Sequence, residues 1–137
     1  MTTQPDAVTQ SNAELLRKAY EDFAAGDVPA VLAIFSEDVT FRIPGRNPVS
    51  GEYTGHDEVT GFFQSLAERS NGTFSIDVKD ILANGDDTVV VLVTHDAQGD
   101  ARALAMPAVH VWRFADGKAT LHESFVADDH ENDAFWS

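Results

Sequence analysis

The stretch AVHVWRFADGKATLHESFVA, residues 108–127, decides the fold, because it holds two runs of strand-forming residues around one tight turn. Val, Phe, Trp and Thr favour strands, and the segment Ala115-Asp116-Gly117 between the runs favours a hairpin loop. Two more strands are predicted upstream, over residues 73–83 and 88–96, with a glycine in each connection. Four consecutive strands joined by short turns predict an antiparallel meander.

Three helices are predicted ahead of the meander, where apolar residues recur every three or four positions. Asn12 can cap a first helix that ends at Gly26, and Asp27 can cap a second. A short strand at residues 39–43 and a loop over residues 46–55 are expected next. The third helix carries an apolar stripe formed by Val59, Phe62, Phe63 and Leu66. Helices followed by strands predict an α+β domain with its helices packed on one face of the sheet.

Length and charge narrow the class of protein. The 137 residues suit a flexible N-terminus over residues 1–10 and a single domain over residues 11–137. Nine Lys and Arg residues against 23 Asp and Glu residues give a formal net charge of -14, so we expect no nucleic-acid partner and no membrane partner. Cysteine is absent, and the polar first residues lack the pattern of a signal peptide. We therefore expect a cytoplasmic protein without disulfides.

Both faces of one predicted strand are apolar, at Val89-Val90-Val91-Leu92-Val93. Helices on one face of the sheet leave the other face in need of a cover. A second copy of the chain is the simplest cover, so we expect a homodimer.

Four short motifs resemble one known family. They are YEDF (residues 20–23) followed by Gly26-Asp27, FSEDVTF (residues 35–41), VHVWRF (residues 109–114) and DAFW (residues 133–136). They are similar to the SnoaL-like polyketide cyclase and ketosteroid-isomerase-like branch of the nuclear transport factor two superfamily. The resemblance runs from residue 11 onward. It implies a cone-shaped α+β barrel, in which three N-terminal helices pack in the concave face of a strongly curved, mainly antiparallel sheet around a hydrophobic pocket.

The resemblance also implies which positions carry chemistry. The carboxylate base of ketosteroid isomerases corresponds to Ile43, which cannot accept a proton, so steroid isomerisation is not expected. The histidine of the cyclase branch corresponds to His110 and is retained, whereas the catalytic aspartate of that branch corresponds to Ser124.

The register of the last hairpin has two alternatives. A three-residue loop at residues 115–117 places His110 opposite His122, whereas a two-residue turn places Glu123 opposite His110. The resemblance favours the first alternative. Because imidazole exchanges protons near neutral pH, we expect His110 and His122 to be catalytic acid–base residues. The expected substrate-binding residues are Tyr20, Phe63, Met106, Trp112 and Ser124.

Two functions of different classes are open. One is a cofactor-independent acid–base enzyme, a cyclase, isomerase, dehydratase or hydrolase, whose substrate is a small hydrophobic cyclic or polyketide-like molecule. The other is a non-catalytic ligand-binding or protein-interaction domain of the same fold. His95, His110 and His122 lack the spacing of a metal motif, so we expect no metal and no cofactor.

Overall fold

The structure is a computed structural model that describes residues 4–83 and 87–137, with side chains from Asn12 onward. Three of the four residues of the predicted turn at 84–87 therefore lie outside the described residues. The expected flexibility of residues 1–10 stays a prediction, and residues 1–3 of that segment also lie outside the described residues.

The helices of the described chain are α1 (Gln4–Ala24), α2 (Val28–Leu32), α3 (Gly55–Arg69) and α4 (Asp129–Trp136). Asn12 does not cap α1, because the helix begins earlier and the Asn12 side chain is buried. Gly26 follows the end of α1 with a φ of 79°, as its predicted role as a stop requires. Asp27 caps α2 as predicted, since its Oδ1 accepts a hydrogen bond from the Ala30 N–H at 3.2 Å. Within the described part of the chain, no helix combines the length and the apolar character needed to cross a membrane.

The strands are β1 (Phe35–Ile43), β2 (Gly51–Thr54), β3 (Ser75–Ala83), β4 (Thr88–Gln98), β5 (Ala103–Ala115) and β6 (Lys118–Val126). They form one six-stranded sheet in the order β2-β1-β6-β5-β4-β3. The predicted antiparallel meander is β3 to β6, and β1 adds to β6 in parallel. The α+β class is confirmed, with helices packed on a mixed sheet that stays open rather than closing into a barrel.

Two elements differ from the sequence prediction. Strand β2 lies within the predicted loop over residues 46–55, where it forms the sheet edge by pairing with β1. Helix α4 lies in the acidic run near the C-terminus. Asp128 caps it by accepting a hydrogen bond from the Glu131 N–H at 3.0 Å, and acidic residues in a first turn are favoured by the helix dipole. Three acidic residues of this run, Asp128, Asp129 and Glu131, therefore form the cap and first turn of a helix.

The β5–β6 hairpin has neither of the predicted registers. Asp116 (φ 52°) and Gly117 (φ 77°) both adopt left-handed backbone, which makes a two-residue turn whose ends are Ala115 and Lys118. With this turn alone, His110 would lie opposite Glu123.

A β-bulge just beyond the turn shifts the pairing by one more residue. His110 therefore lies opposite Ser124, and Trp112 lies opposite His122. The expected pairing of His110 with His122 is wrong, and so is the alternative with Glu123. The bulge nevertheless restores the alternation, so that His110 and His122 share the inner face of the sheet.

The inner face is covered by helices at different places along the sheet. Helix α1 packs over β3 and β4, α3 packs over β1 and β2, and α4 packs against β5. Buried and less buried residues alternate along β4 and β5, as a sheet with one face under helices requires.

Candidate functional site

A cavity of about 790 Å³, including its opening to solvent, lies between the inner face of the sheet and helices α1, α3 and α4. Aromatic and aliphatic side chains make up most of its wall, and none of its described lining residues is charged. The polar lining residues, apart from the indoles, are Tyr20, His95, His110, His122, Ser124 and Asn132. Such a cavity suits a neutral molecule with few polar groups.

A chain of hydrogen bonds runs along one wall of the cavity through four side chains. The Trp112 Nε1–H donates to the Tyr20 hydroxyl oxygen at 2.9 Å. That oxygen lies 2.6 Å from His110 Nδ1, and His110 Nε2 lies 2.9 Å from His95 Nε2. Because the indole can only donate, Tyr20 keeps its own hydrogen and a lone pair for other partners. We call these four residues the relay.

His122 lies beside the relay without joining it. Its ring stacks on Phe41 with centroids 4.4 Å apart, and it meets His110 and Trp112 edge-on at 4.6 and 4.5 Å. These contacts fix the plane of the imidazole through aromatic packing.

Burial keeps all three imidazoles neutral. It lowers the pKa of His95 to about 4, and burial together with the neighbouring His95 lowers the pKa of His122 to about 3. The pKa of His110 falls well below its ordinary value through burial first, and then through His122 and His95. Burial likewise raises the pKa of Tyr20, despite its hydrogen bond from Trp112. The expectation that imidazole here titrates near neutral pH is therefore wrong.

Most of the predicted site residues line the cavity. Met106 is the exception, because it lies on the inner face of β5 but is enclosed in the core, 1% exposed, on the strand against which α4 packs. The predicted residues that line the cavity are Tyr20, Phe63, His110, Trp112, His122 and Ser124. Their roles in binding or catalysis stay predictions.

The two positions where the resemblance implies a carboxylate also line the cavity. They are Ile43 at the end of β1 and Ser124 on β6. Neither can act as a carboxylate base, so any proton transfer in this cavity depends on the relay or on His122.

Two polar lining residues, His95 and Asn132, were missed in the sequence prediction of the site. His95 enters the sequence prediction only as a metal ligand that its spacing argues against, although its alternation with Val91 and Val93 on β4 indicates the inner face. Asn132 lies inside the acidic run, and no sequence signal separates it from its neighbours. Among the described residues, no group of three or more His, Cys, Asp or Glu side chains is arranged to hold a metal ion.

Relatives of this chain match it over nearly their whole length. An uncharacterised protein of Mycobacterium tuberculosis is 27% identical over 124 residues, which cover 90% of this chain and 95% of that protein. Bal32a, from a soil-derived mobile gene cassette, has a similar structure with a TM-score of 0.92 and 24% identity, covering 95% of this chain and 99% of Bal32a. A Xanthomonas campestris protein of unknown function with a cystatin-like fold has a TM-score of 0.85 and 30% identity, covering 92% of this chain and 98% of that one.

The region of the chain that contains the relay also identifies the family. Residues 16–122 match the SnoaL-like domain, a span that includes Tyr20, His95, His110 and Trp112. The family resemblance read from the motifs is confirmed, and the chain belongs to the SnoaL-like domain family.

Proposed function

We propose that this chain is a cofactor-independent acid–base enzyme, a cyclase, isomerase, dehydratase or hydrolase, acting on a small hydrophobic cyclic or polyketide-like molecule. The observation that carries the proposal is the relay, a continuous hydrogen-bonded chain of proton-carrying groups in the wall of an apolar cavity. Hydrogen bonds at 2.6 and 2.9 Å are close enough for proton transfer between adjacent groups.

The relay has two arrangements in which every member is neutral. In the first, Tyr20 donates to His110 Nδ1 and His110 Nε2 donates to His95 Nε2, so His95 holds its own proton on Nδ1. In the second, His95 Nε2 donates to His110 Nε2, and His110 Nδ1 donates to the Tyr20 oxygen. The Tyr20 hydroxyl hydrogen then remains for a group in the cavity.

Conversion of the second arrangement into the first delivers one proton to a substrate. The substrate takes the Tyr20 hydroxyl proton, Tyr20 takes the Nδ1 proton of His110, and His110 takes the Nε2 proton of His95. His95 Nδ1 then takes a proton from solvent, which the partial exposure of His95 supports. The reverse sequence removes a proton from the substrate, so one relay serves as acid and as base.

The lowered imidazole pKa values fit this scheme. Charged intermediates are costly in a buried site without counterions, whereas each end state of the relay is uncharged. The absence of charge among the described lining residues also favours a neutral substrate over an anion or a cation.

The first test is to find a ligand and then to remove the Tyr20 hydroxyl, the relay group that exchanges a proton with the substrate in this scheme. Thermal unfolding with steroids, aromatic polyketides, terpene epoxides and fatty acids identifies binders, because a ligand at about 100 times its Kd adds roughly 2.7 kcal/mol of stability. For a converted binder, we expect Tyr20→Phe to lower kcat by about 10²- to 10⁴-fold with little change in KM, since only the hydroxyl is lost.

Tyr53→Phe is the matched control, because the Tyr53 hydroxyl donates to the Val49 carbonyl and Tyr53 does not line the cavity. Its kcat is expected to equal that of the wild type. Equal turnover by the wild type and Tyr20→Phe would contradict a catalytic relay.

A non-catalytic binding domain is the second candidate. It is favoured by Ile43 and Ser124, which occupy both expected carboxylate positions. In that case the same screen yields compounds that bind and are recovered unchanged, and Tyr20→Phe alters only their affinity.

A further inference from the structure

Two residues that line the cavity each have one buried side-chain atom without a hydrogen-bond partner within the described chain. These atoms are His122 Nδ1 and Asn132 Oδ1, and each residue is 5% exposed. Both residues line the cavity, and neither belongs to the relay. A buried polar atom without a partner is destabilising, so native proteins rarely keep one without a reason.

Asn132 is the more informative of the two. Its neighbour Glu131 is exposed, whereas Asn132 lies four residues before the buried Trp136, so a polar amide occupies the buried face of α4. The backbone fixes its position, since the Asn132 N–H donates to the Asp128 carbonyl in the first turn of α4. An aliphatic residue would fill the same place without an unpaired atom.

The chemistry of the atom limits what can pair with it. An amide oxygen only accepts hydrogen bonds, so its partner must carry an O–H or N–H group. A neutral imidazole nitrogen pairs with a donor or an acceptor according to its tautomer, so His122 Nδ1 is less selective. The surrounding wall is aromatic and uncharged, with Trp136 of α4 packed on Phe74 at a centroid distance of 5.8 Å.

We infer that Asn132 is a specificity-determining residue, whose Oδ1 accepts a hydrogen bond from a hydroxyl or N–H group of a neutral, flat, largely apolar ligand. The inference rests on the proposed function in one respect, that the cavity admits a small molecule. It requires no turnover. Loss of the partner group from the ligand leaves the amide oxygen buried and unpaired, so the cavity discriminates against the deoxy analogue.

Asn132→Leu tests this directly, because leucine has the branched shape of asparagine without its polar atoms. The probes are naphthol and the methylnaphthalene with its methyl group at the same ring position, which have similar shapes and differ in whether that position carries a hydroxyl group. Their Kd values are measured by titration calorimetry with the whole chain. Glu131→Leu is the matched control, since it adds the same side chain to α4 at an exposed position outside the cavity wall.

We expect the wild type and Glu131→Leu to bind naphthol about tenfold more tightly than methylnaphthalene, a difference of about 1.4 kcal/mol. Asn132→Leu removes this preference by weakening naphthol alone. Its melting temperature without ligand equals or exceeds that of the wild type, because an unpaired acceptor has been removed.

The outcomes that overturn the inference are separate from those that overturn the proposed function. Equal wild-type affinity for the two probes, or a preference that survives in Asn132→Leu, eliminates Asn132 as a specificity residue and leaves the enzyme proposal standing. A lower melting temperature of Asn132→Leu with unchanged naphthol affinity makes the amide structural. Failure of the wild type to bind either probe overturns the inference, because the cavity then does not admit flat neutral molecules, whereas the enzyme proposal is decided by the broader ligand screen and Tyr20→Phe.

Discussion

His122 and its two imidazole neighbours make the stability of the folded chain sensitive to acid. The folded-state pKa of His122 is about 3, well below the ordinary value of 6.5, because the ring is buried. Below pH 6.5 the unfolded chain binds a proton at this residue that the folded chain does not bind. The contribution of His122 to stability is therefore complete above pH 6.5 and declines as the pH falls toward 3.

His122→Phe is expected to remove this part of the acid sensitivity, since phenylalanine can keep the stacking on Phe41. Between about pH 7 and about pH 5.5, the wild type should lose roughly 1 kcal/mol more unfolding free energy than the variant. Urea unfolding at the two pH values measures the difference, and comparison of the two proteins cancels the shared carboxylates. An equal loss in both proteins would show that His122 is charged or exposed when folded.

At the scale of the elements, helix α4 is held in place by hydrogen bonds of Asp133 outside the cavity. Asp133 accepts hydrogen bonds from the Arg46 N–H at 2.9 Å and from Asn47 Nδ2 at 2.7 Å, which ties α4 to the loop after β1. These bonds, and to a smaller extent Arg46 and His130, hold the pKa of Asp133 below its ordinary value. Gly45 lies against the same carboxylate with a φ of 103°, so a side chain there would meet Asp133 Oδ1. The Asn132 and Trp136 side chains in the cavity wall depend on this attachment.

Gly45→Ala is expected to lower the unfolding free energy by about 1–3 kcal/mol, through strain at a positive φ and collision with Asp133. Gly61→Ala is the control with the opposite sign. Gly61 lies within α3 with open space around it, so the added methyl should stabilise the chain by about 0.5–1 kcal/mol. Urea unfolding measures both variants.

In the Asp133→Ala background, Gly45→Ala should be less destabilising, because its collision partner is gone. The same cost in both backgrounds would contradict the contact.

At the scale of the whole molecule, the outer face of the sheet exposes large apolar side chains that suit burial by a partner. Leu82 and Phe125 are 47% and 50% exposed there. Phe125 pairs with Val109 and Leu82 pairs with Val90, so the two exposed side chains extend rows of apolar residues across neighbouring strands. We propose that a second copy of the chain covers this face, as the apolar strand at residues 89–93 led us to expect.

Light scattering after gel filtration should therefore give twice the 14.9 kDa chain mass. Phe125→Glu should give the monomer mass, because a charge on the covered face opposes its burial. Ala25→Glu places the same charge on an exposed site just after α1 and should leave the dimer intact. A monomeric wild type would contradict the proposal.

More of the fold than of the site could be predicted from the sequence, as particular residues show. Helix periodicity and the strand alternation around Asp116-Gly117 depend on local sequence, so the meander was predictable. The bulge that sets His110 opposite Ser124 depends on how β6 fits between β1 and β5, which no single segment encodes. For the same reason, the 2.9 Å contact between His95 and His110 was not predictable, although the face of each residue was.

The parallel pairing of β1 with β6 has a consequence for the order of folding. Phe41 on β1 pairs with His122 on β6, so two strands that lie far apart in the chain must meet before the sheet is complete. Because a ribosome makes the chain from its N-terminus, β1 has no β6 to pair with until residues 118–126 have been synthesised. The sheet is thus joined only after β6 has been made, and a nascent chain stopped before residue 118 lacks the strand that joins its two halves.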